Sequence, residues 1–342
     1  MTQLILDAIA NLRQLTQVDV QNSWYLPSSL PPTRREEINV GNQDENDFIA
    51  AIPKLIDISS WEIASLNEKG YSVFPAGQKV RWFAQKFVVP ETLKGYPLAG
   101  LTLRLALTWW AEDAKIYVNE KLVQEGDLFD SSARILLTKK AIPGEEIFVA
   151  IRLVSPGHDI GALMRSRLLY EAPNLPLFDA EANSIDPGFV ADELSVLYSY
   201  LEVFESDKLK ILYSEIVSID WNKVTDAIAF NQCLLNLRQR LLPLAKTLKE
   251  RTIKMVGHAH LDMAWLWPVS ETWEVAQRTF ESVLNLQKDF PYLTFCHTTP
   301  ALYEWIEKHR PDLFSVIQDA VKDESWEVLG GMWVEPEMNL IS

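Results

Sequence analysis

Between Gly257 and Pro268 the chain places His258, His260, Asp262, Trp265 and Trp267 directly after the apolar run Ile253 to Val256. If Ile253 to Asp262 is extended, side chains at i, i+2 and i+4 share a face, so His258, His260 and Asp262 can converge on one ion. Two imidazoles and a carboxylate suit zinc. Trp265 and Trp267 then offer ring faces to the C–H face of a pyranose, because an indole gives large contact area at little cost in side-chain entropy. A His-x-His spacing equally suits a hydrogen-bonded structural pair. Weighing against that, two of the five histidines sit in one pentapeptide at the end of an expected strand, where ligands collect in α/β folds.

The elements that must position these groups change character along the chain. The spacing of Leu4, Ile5, Ala8, Ile9, Leu12 and Leu15 predicts an amphipathic helix within residues 1–25, and Pro27, Pro31, Pro32 and the polar run to Asn46 predict a loop. From Trp61 to about Tyr170 short β-rich runs follow: Val80 to Val89, Gly100 to Trp110, Ala114 to Val118, Ile135 to Leu137 and Glu146 to Val154. Turn signals such as Lys94-Gly95, Asn119-Glu120, Gly126-Asp127 and Pro143-Gly144 separate them, which predicts an antiparallel sandwich. Asp192 to Lys249 is helical in pattern and reads as a connector. After Arg251 the order is strand Ile253–His258, helix Glu271–Leu286, strand Leu293–His297, helix Ala301–Val321 and strand Trp326–Val334. This βαβαβ alternation implies a parallel sheet or barrel. The domains are thus 1–60 helix and loop, 61–175 sandwich, 176–250 helical linker and 251–342 the start of a (β/α) barrel.

Parallel strands would bring His260, Asp262, His297, Glu335 and Glu337 to one rim, the C-terminal ends of the strands. Gly330 to Glu337 also suits a plain strand that ends in a solvated acidic turn. A net charge of −15 argues against nucleic acid, whose phosphates need a basic surface. Cys233 and Cys296 are too few for a disulfide framework, so a reducing, cytoplasmic setting is expected, with both thiols as small buried groups. No cationic leader and no run of some 18 apolar residues is present, so no membrane partner is expected.

The motifs Gly257-His258-Ala259-His260-Leu261-Asp262, Ala264-Trp265-Leu266-Trp267-Pro268, Glu271-Thr272, Arg278-Thr279-Phe280, Tyr303-Glu304-Trp305 and Trp326-Glu327 through Trp333 to Leu340 together resemble the opening of the catalytic domain of glycoside hydrolase family 38 α-mannosidases. The upstream sandwich and helices resemble, more loosely, the N-terminal part of the cytosolic and vacuolar branch. The resemblance implies a zinc-dependent retaining α-mannosidase on a (β/α)7 barrel, acting on terminal α-mannosides of oligosaccharides. It implies His260 and Asp262 as zinc ligands, His258 as a supporting residue and Trp265 under the sugar; Trp267 and Glu335 are expected near substrate too, Glu335 being the fallback nucleophile. Glu337 occupies the place of the family's nucleophile, an Asp that also touches zinc; Glu keeps the charge and adds one methylene.

The family's remaining barrel strands, general acid and last zinc ligand have no counterpart up to Ser342, so the barrel is expected to be truncated and the chain inactive alone. A complementing C-terminal chain or a homo-oligomer is the partner this implies. Two other classes fit parts of the pattern. An amidohydrolase-like barrel would make His258 a direct zinc ligand. A non-catalytic carbohydrate-binding or assembly protein would use Trp82, Trp109, Trp110 and Tyr117 of the sandwich as a platform, although aromatic residues there are ordinarily core.

Overall fold

The computed structural model describes residues 1–26, 61–173, 185–264 and 267–334. It divides into two compact units, Met1–Glu250 and Arg251–Ser342.

In the first unit two antiparallel sheets share one core. One sheet orders β1 (Gln17–Asp19), β13 (Gly161–Glu171), β8 (Thr102–Trp110) and β11 (Ser132–Thr138), with β4 (Ser72–Phe74) also paired to β13. The other orders β10 (Lys121–Gly126), β9 (Asp113–Val118), β12 (Glu146–Val154), β5 (Val80–Val88), β2 (Tyr25–Leu26) and β3 (Glu62–Ile63). A small hairpin joins β6 (Thr92–Leu93) to β7 (Tyr96–Pro97). Along β8 the apolar residues Leu103, Leu105, Leu107 and Trp109 alternate with half-buried ones, the period-two pattern of a strand with one face on a core. Trp109 is 1% exposed, and Trp82 and Tyr117 are buried together in a satellite cluster with Ala150. Three of the four sandwich aromatics are therefore packing residues; Trp110 alone is half-buried.

Strand β13 carries an irregularity that its sequence does not announce. Leu163 pairs with Trp109 and Arg165 with Thr108, so Met164 is an extra residue, a β-bulge. The large buried side chains of the strand then fall at Leu163 before the bulge and at Leu168 and Tyr170 after it, with the small Ala162 and Ser166 also buried.

Helix α1 (Thr2–Gln14) carries the apolar spacing to its C-cap Leu15 and ends well short of Tyr25. The next residues, with Val18 and Val20, add β1 to the sheet edge and then β2 to the other sheet, because unpaired strand edges offer their backbone groups partners. The helical segment contains α2 (Pro187–Phe204), α3 (Leu209–Val217) and α4 (Ala227–Lys249). Their apolar faces join the same core as the sheets, with Leu194, Leu201, Leu212, Leu234 and Leu241 buried. Asp186 starts α2: its carboxylate accepts from Phe189 N and from Ala172 N, at 2.9 Å each, and so ties the helix to the end of β13. Burial pushes that carboxyl up, against the lowering effect of these bonds. Of the two cysteines, Cys296 is buried and Cys233 half-buried; both are free thiols. Among the described residues no helix is long and apolar enough to cross a membrane.

The second unit is a parallel sheet of β14 (Gly257–His258), β15 (Phe295–His297) and β16 (Trp326–Val328), in that order. Helix α5 (Val269–Asp289) connects the first two strands, and α6 (Pro300–His309) with α7 (Pro311–Lys322) the last two. The single helix expected over 301–321 is broken at Arg310, whose extended φ of −137° is what a following proline enforces. Phe280, Phe295, Tyr303, Ile306 and Trp326 form its core. The apolar run before Gly257 is not part of the sheet: Ile253, Met255 and Val256 are exposed, and β14 has two residues where a longer strand was expected.

Candidate active site

The site begins where β14 ends. The His258 Nδ1–H donates to the Cys296 carbonyl across the sheet at 3.0 Å, and its ring stacks on His297 at 5.8 Å. This turns His258 toward the neighbouring strand and fixes the tautomer whose Nε2 keeps its lone pair. Past His258 the chain leaves the sheet, so the i, i+2, i+4 alignment expected of an extended segment does not carry through to Asp262.

His260 and Asp262 meet nonetheless. His260 Nε2 lies 3.0 Å from Asp262 Oδ1, with the side chains 63% and 39% exposed. On tetrahedral zinc, donors at 2.0–2.1 Å stand about 3.3 Å apart, so the pair needs only a few tenths of an ångström of opening to share an ion. Both groups face solvent, where an ion or a sugar hydroxyl can reach them. Among the described residues no group of three or more His, Cys, Asp or Glu side chains is placed to hold a metal ion. Glu335 and Glu337, and Trp265, lie outside the described residues.

A residue without an assigned role in the sequence holds this loop. Thr272, in the first turn of α5, is 1% exposed. Its hydroxyl accepts from Ala264 N at 3.1 Å and from Trp267 Nε1 at 3.0 Å, and donates to the Asp262 carbonyl at 3.2 Å. One donor and two acceptors exhaust what a hydroxyl can do. Asp262 is thus fixed through its own backbone, and Trp267 is held half-buried by its indole nitrogen. Ala264 adopts φ +62°, a left-handed conformation that costs a non-glycine residue energy and that the surrounding bonds sustain. In the sequence Thr272 stands in the Glu271-Thr272 motif of the resemblance, just inside a helix after a proline, with nothing to mark its hydroxyl as the brace of the loop.

His297 sits at the end of β15 but is 1% exposed, enclosed by Phe280 and Tyr303 as well as His258. Its Nδ1–H donates to the Thr298 carbonyl at 2.6 Å, so it is a packing residue of the rim and not an open ligand. Trp326 Nε1 donates to Tyr303 Oη at 2.9 Å, and Tyr303 Oη donates to the His297 carbonyl at 3.4 Å, joining β16 to β15 through the core. Burial pushes the Tyr303 phenol up to about 12. Beyond β16, Leu329 N donates to the His297 carbonyl and the Trp333 carbonyl accepts from Ala301 N at the start of α6. The segment leading to Glu335 is thereby tethered beside the end of β15.

Residues 250–342 match the Glycosyl hydrolases family 38 N-terminal domain, the family whose opening motifs this segment resembles. The chain is similar to Alpha-mannosidase G of Dictyostelium discoideum, 26% identical over 160 residues, and to Alpha-mannosidase 2C1 of Homo sapiens, 36% identical over 93 residues. These matches cover 44% and 27% of this chain, which spans 15% and 9% of the two relatives. Among solved structures, the Bacteroides uniformis beta-glucuronidase is 16% identical with a TM-score of 0.31, covering 47% of this chain and 18% of that one.

Proposed function

We propose that the C-terminal unit opens the catalytic domain of a zinc-dependent retaining α-mannosidase that hydrolyses terminal α-mannosides of oligosaccharides. The observation that carries this is the approach of His260 Nε2 to Asp262 Oδ1, inside a segment that matches family 38 and on a loop braced by Thr272. In this reading His260 and Asp262 hold zinc, with Glu337 as a further ligand. When bound, zinc supplies a Lewis acid that can hold vicinal sugar hydroxyls. His258 orients the loop from behind, Trp265 and Trp267 receive the apolar face of the sugar, and Glu335 lies near substrate. Glu337 is the nucleophile, one of the two carboxyl groups that retaining hydrolysis needs about 5 to 5.5 Å apart. The cytoplasmic assignment rests on the two unpaired cysteines. Retaining hydrolysis further needs a general acid, a role worth about 10²–10⁴-fold.

Titration with a zinc indicator tests the ligand assignment. Weak binding lost in His260→Ala and in Asp262→Ala, and kept in His309→Ala, is the expected result; equal loss in all three would remove it. The His258 tautomer favours a second reading, since a ligating imidazole donates its other N–H to a carbonyl as His258 does. If His258→Ala abolishes binding as fully as His260→Ala, the amidohydrolase-like arrangement is the better one.

A further inference from the structure

We propose that the first unit carries a binding groove for an uncharged oligosaccharide on the outer face of the β13 sheet, separate from the His260–Asp262 site. Two adjoining depressions of about 480 and 440 Å³ share Lys69, Tyr71 and Met164, and so form one shallow groove. Together they reach the size of sites that take ligands larger than one sugar ring.

The first depression is apolar beneath and polar at its edge. Trp110 and Tyr71 line it with Val73 and Ile160. The Trp110 indole is held by Nε1–H donating to Asp159 Oδ2 at 3.1 Å, so it is a half-buried, fixed ring. That matches the requirement of pyranose stacking: a large ring face with little entropy to lose. Polar partners stand beside it. Asp159 also accepts from Ile160 N at 2.7 Å, which leaves acceptor capacity on both carboxylate oxygens. Asn67 accepts from Lys69 N and Tyr71 N at 2.9 and 3.0 Å, which holds its side chain and leaves its amide hydrogens to donate.

The second depression adds Arg165 and Arg167 with Asp19 and Asn22. Across both, Lys69, Arg165 and Arg167 balance Glu68, Asp159 and Asp19, in a chain whose net charge is −15. A locally neutral lining dense in donors and acceptors favours a neutral polyhydroxylated ligand over an anion or a cation. The bulge at Met164 lies where the depressions join, and bulges commonly re-aim side chains at functional sites. The groove argument uses none of the residues assigned to zinc and stands whether or not the mannosidase reading holds.

Calorimetric titration of the full chain with uncharged trisaccharides (mannotriose, maltotriose and cellotriose) and with a sulfated heparin trisaccharide tests this. Saturable binding of at least one uncharged sugar is expected, weakened about tenfold or more in Trp110→Ala, restored in part in Trp110→Phe, and unchanged in His260→Ala. Arg165→Ala and Asp159→Ala, both exposed, serve if Trp110→Ala does not fold; each is expected to weaken binding several-fold. No binding of any uncharged sugar up to about 10 mM, binding of the sulfated sugar alone, unaltered affinity in the groove variants, or loss in His260→Ala would each overturn the assignment.

Discussion

The two units spend similar residue types on opposite ends. In the sandwich, β8 and β12 run nine residues each and most large aromatics are inside, as Trp24, Trp82 and Trp109 show. In the second unit the strands run two or three residues, and the groups with chemistry hang beyond their ends on hydrogen-bonded loops. Long paired strands make position a property of the whole sheet. Short ones leave position to single side chains, so Thr272 matters to His260 and Asp262 in a way that no one residue matters to Trp109.

Core truncations give the largest expected effects and test whether the units are energetically separate. Trp109→Ala should destabilise the first unit by about 3–5 kcal/mol, and Trp326→Ala the second by a similar amount. Denaturant titration followed by circular dichroism should show each substitution moving one transition and sparing the other. A single shared transition would break the comparison.

Thr272→Val sharpens it. The substitution keeps the shape and removes three part-buried hydrogen bonds, each worth about 0.5–1.5 kcal/mol. The expected outcome is a helical unit of near-normal content whose zinc affinity falls roughly 10–100-fold, as for other lost outer-shell contacts. Parallel dichroism and zinc titration would check both halves. Preserved affinity would show that the loop is held elsewhere.

A smaller effect concerns alkali. Burial raises Tyr303 to about 12 in the second unit, and Tyr96 and Tyr170 likewise in the first. Above an unfolded value near 10 the unfolded phenol ionises while the folded one does not. The stability these groups contribute is complete below pH 10 and is lost as pH rises toward 12. Tyr303→Phe should flatten that loss in the second transition only, measured by denaturant midpoints from pH 9 to 11.

The smallest effect is acidic. Hydrogen bonding to Arg310 holds the exposed Asp312 carboxyl down at about 2. Its contribution is therefore present above the usual carboxylate value and disappears as pH falls through about 2. Asp312→Asn should remove this slope at the start of α7, lowering neutral-pH stability by the small amount an exposed pair contributes and leaving stability below pH 2 unchanged.

Much of the sandwich was legible because alternation is local: Leu103, Leu105, Leu107 and Trp109 state their own face. The pair His260 and Asp262 was legible from residue type and family motif. What escaped was set by long-range or geometric terms. Strand β1 forms because β13 offers an edge to it, which nothing near Gln17 records. The break at Pro311 was visible in principle, but amphipathic spacing on both sides masked it. His297 looked like a rim group by position and is enclosed by Phe280 and Tyr303, which depends on how α5 and α6 pack.

The bulge at Met164 gives β13 two inside-outside phases in one strand, and this sets where its length can change. Deleting Met164 would bring Ser166, Leu168 and Tyr170 into the same alternation as Leu163, so the core would keep its contents while the strand flattened and the groove closed. Removing one residue farther along, at Leu169 for example, would turn the following side chain out of the core. The same strand thus tolerates a shortening at one position and rejects it a few residues later, a contrast that soluble yield of the two single-residue deletions would read directly.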